Sequence, residues 1–150
     1  MLAAVVVSAS GLAQAQSACT LNRLNGGNSL NGGYAYLLTG FTYDQYGQQV
    51  DLAASGRMVA DGAGNLTAGD TLSYDGTIIR RSYPSGTYTI ASDCTGSITL
   101  SSSNGNKVNF DFVLHSDGKE MNLIETDPGV ILSGTAKRQV QVAQVVTSTP

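Results

Sequence analysis

The sequence has few of the residues on which most binding and catalytic chemistry depends. Charged residues make up only 13% of its 150 residues, and it contains one histidine, two cysteines and no tryptophan. A zinc site built from the usual nitrogen and sulfur ligands is therefore excluded within one chain. The eight Lys and Arg residues are scattered, so no basic stripe exists to neutralise a phosphate backbone, and we expect no nucleic-acid partner.

The motifs of several common active sites are also missing. No Gly-x-Ser-x-Gly elbow occurs, and the single histidine, His115, stands directly before a turn without the partners of a triad. The stretch VADGAGNLTAGD (59–70) fails the EF-hand pattern and lacks the third glycine and the helix of a phosphate loop. We therefore expect no metal and no organic cofactor, apart from a weak surface calcium site at Asp61 and Asn65 as the remaining alternative.

Short runs that alternate apolar and polar residues dominate the chain and are separated by Gly, Asn and Asp. This period of two predicts strands with one buried face. Every connection is short, which favours antiparallel neighbours, and a meander has exposed edges unless it closes. We predict an all-β fold, a small antiparallel meander barrel of about eight to nine strands, with a β-sandwich as the alternative. The predicted strands are 33–41, 50–60, 65–73, 76–82, 86–91, 96–102, 107–115, 119–126 and 130–138.

The N-terminus has the pattern of an export signal. An apolar run from Leu2 to Leu12 precedes the small-x-small site Ala13-Gln14-Ala15, and the run is too short to span a bilayer. We expect a signal peptide over 1–15, an N-terminal arm over 16–30, a barrel domain over 31–139 and a tail or linker over 140–150. The mature chain is then secreted or at the cell surface, without a transmembrane segment.

Two cysteines are present, Cys19 and Cys94. In an exported protein such a pair is more often a disulfide than two free thiols. The alternative is a lipid-modified Cys19 at the start of a lipoprotein, although Gln16 stands where that signal prefers Leu.

The segment FDFVLHSDGKEMNLIE gives the clearest register. Asp117-Gly118 is the favoured pair for a type I′ turn, and pairing the two runs around it places one carboxylate, Glu125, opposite Phe110. The shared interior face consists of Phe110, Phe112, Leu114, Met121 and Leu123.

Glu125 is the candidate catalytic residue. A carboxylate on an apolar face is desolvated, which raises its pKa toward the range that is useful for proton transfer. Phe110, Phe112 and Leu123 are the matching binding candidates. Small residues in the last strand, such as Gly134, would leave room for a ligand there. In the competing interpretation Glu125 is structural and is held by an arginine such as Arg57 or by tyrosine hydroxyls. Alternatively, it lies near the open rim and is exposed to solvent.

Two tyrosines in TYDQYGQQ, Tyr43 and Tyr46, could stack against a sugar. The other tyrosines at alternating strand positions, Tyr34, Tyr36 and Tyr88, are expected in the core.

The segments LNGGYAYLLTGF, GRMVADGAGNLTAGD, GTYTIASDCTGSITL, VNFDFVLHSDGKEMNLIETD and SGTAKRQ together resemble an uncharacterised family of secreted bacterial β domains, over about residues 30 to 139. The strand pattern is also similar, more distantly, to allene oxide cyclase-like and lipocalin-like barrels, whose cyclases use an interior carboxylate. The resemblance implies an exported β domain and carries no activity. The sequence as a whole predicts an exported barrel with an extracellular binding or structural role, and a small apolar ligand or a glycan is the expected partner. The alternatives are a cyclase or isomerase acting on an apolar small molecule in the barrel, with Glu125 as the carboxylate, and a carbohydrate-binding module.

Overall fold

A computed structural model describes residues 30–115 and 117–140. Within these ranges the chain forms eight strands and no helix, so no helix in the described part could span a membrane. The predicted signal peptide, most of the predicted arm with Cys19, and the tail from residue 141 lie outside the described residues. The strands are β1 (Asn31–Tyr43), β2 (Gln49–Asp61), β3 (Asn65–Tyr74), β4 (Thr77–Ile90), β5 (Thr95–Ser101), β6 (Lys107–Leu114), β7 (Glu120–Glu125) and β8 (Val130–Arg138).

The eight strands close into an antiparallel meander barrel. Each strand pairs with its neighbours in the chain, and β1 closes the sheet by pairing with β8 from Tyr34↔Arg138 to Thr42↔Val130. Closure supplies hydrogen-bond partners for the two edges that an open meander would expose. The predicted all-β meander barrel is confirmed, and the sandwich alternative is wrong.

One predicted break in the chain is absent. The segments 76–82 and 86–91 belong to the single strand β4. In its pairing with β3, Ala68 faces Tyr83 and Leu66 faces Gly86, so β4 carries one extra residue at this point. The extra residue makes a β-bulge, which accommodates Pro84 because a bulged residue does not need to donate to the ladder. The Pro-Ser-Gly sequence therefore bends a strand and does not end it.

The turn chemistry differs from the prediction at one hairpin. The β6–β7 register is as predicted, with Phe110 opposite Glu125. However, Asp117 is not among the residues with the positive φ that a type I′ turn requires, and the Gly118 N–H donates to the His115 carbonyl at 2.8 Å. The Asp-Gly pair with two positive φ angles is Asp75-Gly76, between β3 and β4, at 46° and 79°.

Two turns are built alike, one at Asp61 within the stretch 59–70 and one at Asp93, and each aspartate begins the pattern Asp-x-x-Gly-x-Leu/Ile-Thr. The Asp61 carboxylate accepts a hydrogen bond from the Asn65 side-chain amide at 2.7 Å, and others from the backbone N–H groups of Ala63 and Asn65 at 2.7 and 3.0 Å. The Asp93 carboxylate accepts from the Thr95 hydroxyl at 2.6 Å and from the Thr95 N–H at 3.0 Å. These side-chain and backbone bonds hold the pKa of both carboxyl groups below the usual range. Both aspartates therefore close turns.

Candidate functional site

At one end of the barrel, inward-facing side chains remain partly exposed to solvent. Five strands contribute inward-facing side chains that keep some contact with solvent, and we call this end the barrel mouth. Its side chains are Tyr74, Ile79, Val108, Glu125 and Val130. Ile79 lies opposite the buried Leu72, on the interior face, yet it is 43% exposed. The mouth is therefore a largely apolar rim that carries the Glu125 carboxyl group. The hydroxyl groups of Thr42, opposite Val130, and Thr77, opposite Tyr74, lie at the same end, and Asp127 lies beside Glu125.

A partly buried ion pair lies inside the barrel below this rim. Asp70 on β3 faces Arg81 on β4, and the guanidinium donates two hydrogen bonds of 2.7 Å to the carboxylate. The Asp70 side chain is only 3% exposed and that of Arg81 is 23% exposed. The Tyr36 hydroxyl donates to the same carboxylate at 2.9 Å, and the guanidinium lies 5.7 Å from the centre of the Tyr83 ring. The acceptor and the bidentate donor satisfy each other in an apolar interior.

The two tyrosines of this cluster stay neutral over the physiological range. Burial raises the pKa of Tyr36, and the neighbouring Asp70 carboxylate raises it further. Burial also raises the pKa of Tyr83 to about 12, although the Arg81 cation opposes that shift. Both hydroxyl groups can therefore act as hydrogen-bond donors and not as bases.

Glu125 faces the interior at the end of β7. Burial is the main cause that raises its pKa to about 7, the Asp127 carboxylate adds to the rise, and the Arg81 cation opposes it. No hydrogen bond or ion pair within residues 30–115 and 117–140 engages its carboxyl group. The expected desolvation of Glu125 is therefore present, and its carboxyl group is available to a ligand or to water.

The arginine near Glu125 is not the one suggested by the sequence. Arg57 lies on the outer face of β2, where its side chain is exposed and donates to the Gln139 side chain. The reason is the alternation along β2, which turns Met58 inward and Arg57 outward. Arg81 takes the interior position instead.

The interior holds little empty space. Inside the described barrel, a cavity of about 20 Å³ lies among seven side chains, which is room for roughly one water molecule. The expectation that Gly134 leaves room for a ligand is wrong, because a Cβ there would lie 2.9 Å from the Leu38 Cα. The glycine serves the close approach of β8 to β1. This packing does not support the cyclase alternative, which needs a substrate-sized interior. The lining residues are Tyr36, Leu38, Met58, Ile98, Leu100, Phe110 and Leu123.

The other residues singled out from the sequence fall into two groups. Phe110, Phe112 and Leu123 are buried in the core on the same face as Glu125, and Tyr34, Tyr36 and Tyr88 are buried as expected. Tyr43 and Tyr46 are 57% and 78% exposed near the β1–β2 turn, so the structure separates them from the interior. The Cys19–Cys94 disulfide stays a prediction, because Cys19 lies outside the described residues.

Sequence reasoning missed Asp70 and Arg81, although a signal for them exists. Asp70 occupies an interior position of β3 between the buried Leu66 and Leu72, where alternation predicts an apolar side chain. A type I′ turn at Asp75-Gly76 would have paired Asp70 with Arg81 directly. A charged residue at an interior position, together with that register, identifies the pair.

A second concave surface lies on the outer wall of the barrel. It measures about 690 Å³ and crosses the outer faces of β4 to β7, where Val113 and Ile124 are each 51% exposed. Its charged residue is Asp111, which is exposed on β6. This groove lacks the combination of burial and charge found at the mouth.

No family model matches this chain. A search of curated proteins also finds no match. Solved structures that it resembles include a de novo designed fluorescence-activating β-barrel, at 14% identity and a TM-score of 0.47, covering 73% of this chain and 93% of that chain. A redesigned β-barrel, mFAP1, bound to DFHBI, has 20% identity and a TM-score of 0.47, covering 81% of this chain and 99% of that chain. At these TM-scores the likenesses bear on neither fold nor function.

Metal chemistry has no support in the part of the chain that the structure describes. There, no group of three His, Cys, Asp or Glu side chains lies close enough to hold an ion. The candidate site is the barrel mouth with Glu125, and the Asp70–Arg81 pair lies behind it.

The raised pKa of Glu125 predicts a pH-dependent stability. Its folded pKa of about 7 lies above the ordinary value of 4.5, so the folded state binds the proton more tightly. The stabilisation is fully present below the ordinary pKa and is lost as the pH rises through the folded pKa. We expect the free energy of unfolding to fall by about 1–2 kcal/mol between about pH 5 and pH 8, with allowance for solvent screening.

Urea unfolding of the wild type and of Glu125→Gln at these two pH values tests this prediction. In Glu125→Gln the free energy of unfolding should change much less between the two pH values. In Asp111→Asn, on the exposed face of β6, it should change as much as in the wild type. If the free energy of unfolding of Glu125→Gln changed with pH as much as that of the wild type, the pH dependence would come from other groups.

Proposed function

We propose that this barrel is a small-molecule-binding domain and that it takes its ligand at the barrel mouth. The observation that carries the proposal is the Glu125 carboxyl group, which is half-buried on an apolar rim and has no partner among the described residues. Isolating an ionisable group in this way costs stability, and groups with such perturbed pKa values concentrate at functional sites.

The surroundings of Glu125 suit a molecule that is largely apolar. Tyr74, Val108 and Val130 pack against the core while keeping part of their surface exposed, and Ile79 is exposed on the interior face. Binding sites of this kind combine an apolar lining with a few placed polar groups. With a cavity of only about 20 Å³ beneath the rim, the ligand would rest on the mouth and not deep inside the barrel.

The wider setting of this function follows from the sequence and belongs to the same proposal. The apolar run Leu2–Leu12 with its small-x-small site supports export, and the resemblance to secreted bacterial β domains supports an extracellular role. We therefore propose that binding takes place outside the cytoplasm.

A neutral probe tests the binding proposal. In an amide NMR titration with 1-hexanol, we expect shift changes to cluster at the mouth, around Glu125, Val108 and Val130, because the alkyl chain replaces water on the apolar rim. The affinity should be weak, in the roughly millimolar range, given the small buried area.

The two neighbouring isoleucines of β4 provide a matched pair of variants. Ile79→Asp places a charge on the interior face of the mouth and should abolish the shift changes. Ile78→Asp places the same charge on the outer face, where Ile78 is 55% exposed, and should leave them in place. Scattered shift changes, or an equal response from both variants, would overturn the proposed site.

A further inference from the structure

We infer that the ligand of the barrel mouth carries a protonated amine beside its apolar part, and that the Glu125 carboxylate binds the ammonium group. This inference rests on the proposed function and names the class of molecule for the same site. It depends on the charges that the fold brings to the mouth and on which of them are already paired.

The positive charge of the cluster is already engaged. Arg81 donates through both Nε and Nη2 to the Asp70 carboxylate and lies against the Tyr83 ring. Because a bidentate pair between an arginine and a buried carboxylate is costly to break, this guanidinium is a poor receptor for an anionic ligand.

The negative charge at the mouth is only partly engaged. Asp127 accepts hydrogen bonds from the Asn109 backbone N–H and side-chain amide at 2.9 and 2.7 Å, which hold it in the wall beside Glu125. Glu125 itself has no such donor among the described residues. An ammonium group would supply the missing donor and cancel one of the two like charges.

No other charge that faces Glu125 from the described strands reverses this balance. The strands that flank β7 present apolar side chains inward, Val108 and Phe110 from β6 and Val130 and Leu132 from β8. Asp70, Arg81 and the neutral Tyr83 lie across the mouth, and the charges of Asp70 and Arg81 cancel each other. The net charge that a ligand meets is therefore negative once Glu125 ionises, which favours a cation with an apolar tail.

Three probes with the same alkyl chain separate charge from apolar contact. We would titrate hexylamine, 1-hexanol and hexanoate into the protein at about pH 8.5, where Glu125 is ionised and the amine is protonated. The ammonium probe should bind roughly tenfold more tightly than the alcohol, and hexanoate should bind more weakly than either.

Two variants and a second pH identify the carboxylate. Glu125→Gln should bring hexylamine to the affinity of 1-hexanol, whereas Asp111→Asn should keep the preference for the amine. At about pH 5.5 the wild type should lose the same preference, because Glu125 is then protonated. An amide spectrum of each variant establishes that it is folded.

The outcomes distinguish the two proposals. If 1-hexanol binds at the mouth but hexylamine binds no more tightly, or if hexanoate binds best, the amine inference is wrong and the binding function stands. If no probe perturbs the mouth, both proposals fail. If the amine preference survives Glu125→Gln, the cation is held elsewhere and the inference is overturned.

Discussion

Replacing Arg81 with Met should lower the free energy of unfolding by about 3–5 kcal/mol, because it leaves the Asp70 carboxylate buried without its counter-ion. The Asp70 side chain is 3% exposed, so water is a poor replacement for the two lost hydrogen bonds. The Tyr36 hydroxyl would remain as a donor, but a single neutral donor compensates a buried charge poorly. Urea unfolding of the two proteins measures the difference.

Two further variants separate the ion pair from general damage. Arg80→Met removes the neighbouring arginine, which is exposed on the outer face, and should cost no more than about 0.5 kcal/mol. The triple variant Tyr36→Phe, Asp70→Leu, Arg81→Met removes every member of the network and should recover most of the lost stability, since buried pairs can often be replaced by apolar residues. If Arg81→Met cost as little as Arg80→Met, the Asp70 carboxylate would have to be solvated and not buried.

Gly56→Ala should destabilise the barrel by about 3 kcal/mol or more and break the polar cluster, because the new methyl group has no room. A Cβ at Gly56 would lie 2.5 Å from the Asp70 Cβ and 2.7 Å from the Tyr36 Cζ, and it would also strike the Gly69 carbonyl oxygen. Gly56 is thus the residue that lets Tyr36 and Asp70 meet across β2. Urea unfolding gives the loss of stability, and the NMR signals of Tyr36 report the broken contact.

A glycine on the adjacent strand is the matched control. A Cβ at Gly69 would meet its nearest neighbour, the Arg81 carbonyl oxygen, at 3.4 Å, which is ordinary contact. Gly69→Ala should therefore change stability by less than about 1 kcal/mol, and the reduced freedom of the unfolded chain opposes any loss. Similar losses in both variants would contradict the packing described around Gly56.

Only part of the candidate site can be predicted from the sequence. Glu125 can be placed on the interior face because the β6–β7 register follows from one hairpin, and the structure has that register even though the turn type differs. Asp70 and Arg81 are missed because the decisive turn, Asp75-Gly76, separates two predicted strands without a predicted register between them. Once one residue pair of a hairpin is known, the register gives every other pair in it. A single turn whose type is not assigned therefore leaves all the interior residues of that hairpin unidentified.

The identity of the arginine near Glu125 shows a different limit. Arg57 and Arg81 are far from Glu125 in the chain, and only the closed sheet brings an inward-facing arginine near it. Alternation turns Arg57 outward, and the pairing of β3 with β4 turns Arg81 inward. Proximity between residues on non-adjacent strands depends on the whole sheet, and no local pattern contains it.

By itself, the sequence determined the class of fold, the antiparallel order, most strand bounds and the apolar face that carries Glu125, because these depend on local alternation and turn residues. Only the tertiary structure decided that the barrel closes with eight strands and that Pro84 lies in a bulge within a strand. It also decided that the interior is filled by side chains, with a cavity of about 20 Å³ among them. It also decided that Asp70, Arg81 and Glu125 share one end of the barrel. The physical reason is that closure and packing are set by all the strands together, whereas alternation is set by each strand alone.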